Sequence, residues 1–178
     1  MPVLSVNAVG FCPHYSDPGD WAFDYALRLS RLHQVKLNVL QFLKDPYDPK
    51  DNLVDLLSDE DREKLAIERE KELRLYYDTR AGDYLNVGFR LCEHTEWLEL
   101  HRCLVARQFQ VLVLGYVHEG VNFGRRPIEE FAEAFACPVV LVGPERPDRF
   151  RLNSPARLIA DKLGLESSIW SVVEPLRV

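Results

Sequence analysis

Apolar and polar positions alternate along this chain in two periods that take turns. Val3 to Val9 is an apolar run suited to a buried strand. A loop, Gly10 to Ser16, follows it. Asp17-Pro18-Gly19-Asp20 then opens a helix, with an acidic cap, a proline in the first turn and a second acid at the positive end of the helix dipole. Ala22, Tyr25, Ala26, Leu29 and Leu32 recur at helical spacing and carry it to about His33. Val35 to Leu43 reads as a second strand, and Lys44 to Asp51 as a proline-containing loop. After a short helical turn at Leu53–Leu57, Ser58-Asp59-Glu60-Asp61 starts a long charged helix to about Arg80. Its thin stripe is Leu65, Leu73 and Tyr76, and Glu60–Lys64 and Glu70–Arg74 are stabilising pairs one turn apart.

Tyr84 to Cys92 alternates cleanly, Leu85, Val87, Phe89 and Leu91 against Asn86, Gly88 and Arg90, which predicts an edge strand with one wet face. Thr95 can cap the next helix, whose stripe is Trp97, His101, Leu104 and Val105. Val111 to Leu114 is a continuous apolar run, as expected of a strand buried on both faces of a parallel sheet. A glycine-rich loop follows, with Gly115, Gly120 and Gly124. Arg125-Arg126-Pro127 then leads into a short helix with Ile128, Phe131, Ala132 and Phe135, and Val139 to Val142 is a second buried run. Strands alternating with helices imply right-handed crossovers and a doubly wound, five-stranded parallel sheet. In such a sheet ligands sit at the carboxyl ends of the strands, where the strand order reverses.

The combination Leu112-Val113-Leu114-Gly115, a glycine loop, a helix and Ala136-Cys137-Pro138-Val139-Val140-Leu141-Val142 resembles the C-terminal half of the universal stress protein family. The resemblance extends over about Val3 to Pro144 and implies an α/β domain over 1–144, with a C-terminal extension over 145–178. In the extension, Ser154-Pro155 starts a short helix through Leu163, capped by Gly164, and Ile169, Trp170, Val172 and Val173 form an apolar tail that needs a surface to bury on.

Family members that bind ATP carry an Asp after the first strand, and Gly-x2-Gly-x9-Gly with Ser or Thr after the fourth. Here the end of the first strand offers Asn7 or Gly10, His118 stands where the second glycine is expected, and Arg125 replaces the hydroxyl residue. Asn7, Gly115, His118, Gly120, Gly124, Arg125 and Arg126 are therefore the candidate ligand contacts of a degenerate loop. Arg125 and Arg126 can clamp a phosphate at a helix N-terminus. The function implied is non-catalytic stress-response or regulatory binding. The alternative is an ATP- or AMP-binding regulatory switch of the same fold, with ATP or another nucleotide as its cofactor. The resemblance also implies a homodimer through Val139–Val142, and a protein partner whose identity the chain does not disclose.

Composition narrows this further. A chain of 178 residues with 47% hydrophobic residues suits one compact domain. A net charge of −6 argues against nucleic acid as the main partner. The absence of a long apolar run or signal-like leader leads us to expect a cytoplasmic protein away from membranes. The four cysteines, Cys12, Cys92, Cys103 and Cys137, are expected to be reduced. Cys12-Pro13-His14 and Cys92-Glu93-His94 both follow strands and have zinc-type ligands, but their spacing matches no strong zinc pattern, and no metal site is expected. His101 is expected in the core. No nucleophile elbow or Walker loop is present, so no catalytic residue is assigned.

Overall fold

The computed structural model describes residues 6–48, 53–94, 96–118, 120–164 and 172–175. Its centre is a parallel sheet, and the order of that sheet follows from which runs are apolar on both faces. The strands are β1 (Ala8–Cys12), β2 (Lys36–Phe42), β3 (Val87–Cys92), β4 (Val111–Gly115) and β7 (Val139–Val142), arranged β3-β2-β1-β4-β7. Every residue of β1, β4 and β7 is buried, whereas β3 at the edge keeps an exposed Arg90. The order reverses between β1 and β4, which pair in parallel with Phe11 beside Val113.

Two cores result. On one face α1 (Asp17–His33), α2 (Asp59–Ala81) and α5 (Ser154–Leu158) cover Phe11, Val39, Val113 and Val140. On the other, α3 (Glu96–Val105) and α4 (Ile128–Ala134) cover Leu40, Leu112, Leu114 and Leu141. Capping residues begin the long helices: the Ser16 hydroxyl accepts from the Gly19 N–H, and the Ser58 hydroxyl from the Asp61 N–H.

Several expectations shift. The first strand is Ala8–Cys12, not Val3–Val9, and positions 3–5 lie outside the described residues. Gly10 belongs to that strand rather than to a loop, beside Asn38 and Leu112, and the Phe109 ring fills the space where its Cβ would stand, 2.8 Å away. On α2 the buried side chains are Leu73, Tyr77 and Ala81, so Tyr77 and not Tyr76 points inward. On α3 the buried residues are Glu99, Leu100 and Cys103. The stripe is rotated from the one expected, leaving His101 exposed and Val105 71% exposed, so His101 is not a core residue. Thr95, the expected cap, lies outside the described residues.

The largest departure is at the carboxyl end of the chain. β7 is not an edge. β8 (Arg149–Leu152) pairs with it antiparallel, Leu141 beside Arg151, and β9 (Val172–Pro175) pairs in parallel with β8, making seven strands. The two-fold contact expected through Val139–Val142 is therefore blocked by the chain's own extension. The helix expected to run to Leu163 is Ser154–Leu158, with Ile159 and Leu163 still buried behind it. Ile169 and Trp170 of the apolar tail lie outside the described residues. Among the described residues no helix is long and apolar enough to cross a membrane.

Candidate functional site

At the reversal point the carboxyl ends of β1 and β4 diverge, and a crevice is expected between them. Here a side chain occupies it. After β2 the chain turns at Asp45, whose Oδ1 accepts from the Tyr47 N–H at 2.9 Å, and this drives the Tyr47 ring inward. The Tyr47 hydroxyl donates to the carbonyl of Gly115, the last residue of β4, at 2.9 Å. Its ring lies 4.6 Å from His14 and 4.9 Å from Phe123, centroid to centroid. Burial pushes the Tyr47 phenol well above its ordinary range, so it stays a neutral donor.

Gly115 and Gly19 allow α1 to start directly against β4. A Cβ on Gly115 would stand 2.9 Å from the Gly19 nitrogen, and one on Gly19 would stand 1.8 Å from the His14 carbonyl oxygen. Gly115 is thus required for packing. Residues 122–127 form no open glycine loop. They make a two-stranded hairpin, β5 (Asn122–Phe123) and β6 (Arg126–Pro127), with Phe123 opposite Arg126. Gly124 (φ 60°) and Arg125 (φ 66°) are its two turn residues, the pair of positive φ values that a type I′ turn requires. The hairpin is tied to the loop after β2 by the Gly124 N–H, which donates to the Pro46 carbonyl at 3.1 Å.

The candidate residues therefore separate. Asn7 precedes β1 at the amino end of the sheet, where its N–H donates to Gln110 Oε1 at 2.7 Å; the shifted strand places it on the opposite rim from the loops. His118 is exposed in the turn after β4, and Gly120 (φ 83°) stands in open space. Arg125 and Arg126 do not form a clamp, because adjacent hairpin positions diverge. Arg126 lies over the Trp97 ring at 5.4 Å, while Arg125 lines a cleft beside the first turn of α2. α4 begins only at Ile128, with no side-chain cap at Pro127.

That cleft, about 280 Å³, lies beyond the ends of β2 and β3, where Lys44, Asp55, Arg62, Glu93, Glu96 and Arg125 meet. Sequence reasoning singled out only Arg125 among these. No local signal marks the others, which reach one place from four separate segments. Tyr47 was missed for a related reason: an aromatic residue between prolines in a polar loop carries no periodicity.

The four cysteines are buried and form no disulfide. Burial pushes Cys12 well up, with Cys92 and Cys103 adding to the effect, and takes Cys92 and Cys137 up to about 12. None is therefore an activated thiol. His14 packs on Tyr47 and His94 lines the cleft, so the two Cys-x-His pairs do not assemble. Among the described residues no three metal-ligating side chains converge.

His14 Nδ1 shares a 2.8 Å hydrogen bond with Ser16 Oγ, and burial lowers its pKa while Asp45 partly opposes this. The unfolded chain then takes up the proton at higher pH than the folded one. The His14 contribution is complete above about pH 6.5 and is lost as the pH falls from there towards the folded-state value. Urea midpoints taken between about pH 7 and pH 5 are expected to fall more for the wild type than for His14→Gln. Equal falls in both proteins would contradict this role.

No protein-family profile and no curated protein sequence matches the chain. Solved structures do. A protein from the universal stress protein family of Burkholderia pseudomallei aligns with TM-score 0.51 at 21% identity, over 80% of this chain and 100% of its own. A hypothetical protein aligns with TM-score 0.53 at 14% identity, over 79% of this chain and 99% of its own. The chain has the universal stress protein fold.

Proposed function

We propose that this chain is a cytoplasmic, universal stress protein-like regulatory binding protein that catalyses no reaction and carries a degenerate nucleotide-binding loop. The observation behind this reading is Tyr47, whose hydroxyl bonds the Gly115 carbonyl and whose ring fills the crevice at the strand-order reversal. A nucleotide there must displace a buried ring and break that bond. The hairpin turn at Gly124–Arg125 supports the same reading, since it replaces the open backbone that a phosphate needs. Gly115, Gly124 and Arg126 then serve packing, and the protein meets a protein partner through its loops and helices. In this proposal the homodimer contact moves from β7 to the outer edge of β9, the strand edge that pairing among the described residues leaves open at that side.

One sedimentation experiment with ATP present tests both parts. The expected result is a dimer mass at tens of micromolar protein, with ATP absorbance left behind, corresponding to a dissociation constant of about 1 mM or weaker. ATP that co-sediments at low micromolar concentration would instead establish the ATP- or AMP-binding switch. A monomer would remove the β9 contact.

A further inference from the structure

The cleft beside the first turn of α2 is not the crevice that Tyr47 fills. It lies on the β2–β3 side, and its charges are unusual. Lys44 and Asp55 pair at 2.9 Å and neutralise one another. Lys44 first, then Arg62 and Arg125, hold the Asp55 carboxyl below its ordinary range, which places both arginines within electrostatic reach of it. Arg62 spends one Nη2 donor on the Val54 carbonyl at 3.3 Å, but its Nε is buried without a hydrogen-bond partner. Such a donor costs free energy unless something accepts from it. Arg125 makes no hydrogen bond or ion pair among the described residues, and it is held at φ 66°, a backbone conformation that glycine or asparagine adopts more readily. The carboxylates of Glu93 and Glu96 line the same cleft and likewise make no side-chain hydrogen bond or ion pair among the described residues.

Unpaired charges of both signs in one small cavity exclude simple occupants. A phosphate or nucleotide tail would meet Glu93 and Glu96 as well as the arginines. A metal ion would meet the arginines, and no three ligands converge on one. A volume of about 280 Å³ leaves room for a molecule smaller than a typical drug. We propose that this cleft binds a small zwitterion of the α-amino-acid class, with its carboxylate on Arg62 and Arg125 and its ammonium on Glu93 and Glu96. The two guanidinium groups provide charge-assisted donors for the carboxylate, and the two glutamates provide what an anion-only site would lack. The inference deepens the reading of the chain as a binding protein by naming a ligand class.

Thermal unfolding and titration calorimetry with the standard α-amino acids, each supplied singly at about 10 mM, test it against ligands as weak as about 1 mM. At least one amino acid is expected to stabilise the wild-type protein. Its N-acetyl derivative, its decarboxylated amine and inorganic phosphate are each expected to bind at least about tenfold more weakly. Arg125→Ala and Glu93→Gln, both exposed positions, are expected to weaken binding by about ten- to a hundredfold without changing the unliganded melting temperature. The inference is overturned if no amino acid binds, if phosphate or a carboxylate-only analogue binds as well, or if both variants retain wild-type affinity. An ATP titration run alongside separates the two proposals: micromolar ATP binding overturns the nucleotide-free reading and leaves the amino-acid result to stand or fall by itself.

Discussion

Replacing Asn153 with alanine is expected to destabilise the fold by about 3–5 kcal/mol, lowering the melting temperature by roughly 10 °C or more. Asn153 is fully buried, and its amide spends all its hydrogen-bonding capacity. Oδ1 accepts from the Val139 N–H at 2.9 Å and the Ala156 N–H at 3.0 Å, while Nδ2 donates to the Ala132 carbonyl at 2.9 Å and the Cys137 carbonyl at 2.8 Å. One side chain thus joins α4, β7 and the start of α5. Alanine removes the α5 cap, worth about 1 kcal/mol, and strands several buried backbone groups at about 1–3 kcal/mol each, partly relieved by relaxation. Leu158→Ala, at a position 85% exposed on the same helix, is expected to change stability by less than about 0.5 kcal/mol. Urea unfolding of both variants checks this. An Asn153→Ala cost below about 1 kcal/mol would mean that residues 145–163 are an appendage rather than part of the core.

The second large effect is at Gly19. Gly19→Ala is expected to cost at least about 3 kcal/mol, at the upper end for overpacking, and to lower the yield of soluble protein. A Cβ has no rotamer by which to escape, and the atom it would meet is the His14 carbonyl oxygen at 1.8 Å, followed by the carbonyl carbon at 2.7 Å. Relief requires lifting the first turn of α1, but that turn already rests against Gly115. The shift would also disturb His14 and, through it, Tyr47. Gly82→Ala makes the contrast: its φ of 62° and ψ of −119° strain a side chain, yet nothing lies within 4 Å, so a smaller cost of about 1–3 kcal/mol is expected. Equal unfolding free energies for the two variants would contradict the close approach of α1 to β4.

Much of the candidate site was not legible because its residues act through neighbours distant in sequence. Asp45, Pro46 and Tyr47 lie in a loop whose composition says only that it turns. Its inward aromatic ring is explained by Gly115 and Phe123, more than sixty residues away. Arg125 and Arg126 looked like a pair because they are adjacent, and the hairpin sends them to different places. The Arg149–Leu152 segment does alternate, with Phe150 and Leu152 buried. Four residues of alternation inside a charged, proline-containing stretch do not mark a strand until β7 provides a pairing edge.

By itself the sequence determined the doubly wound sheet, because Val111–Leu114 and Val139–Val142 are apolar at every position and only a strand covered on both faces buries them all. It also determined where α1 and α2 begin, to within a residue, since capping chemistry is local. The tertiary structure alone decided which face of α3 is inward, whether β7 is an edge, and what fills the crevice at the strand-order reversal. Those outcomes depend on space left by distant segments, and a one-residue rotation of a helix or one returning strand changes which side chains are free to bind.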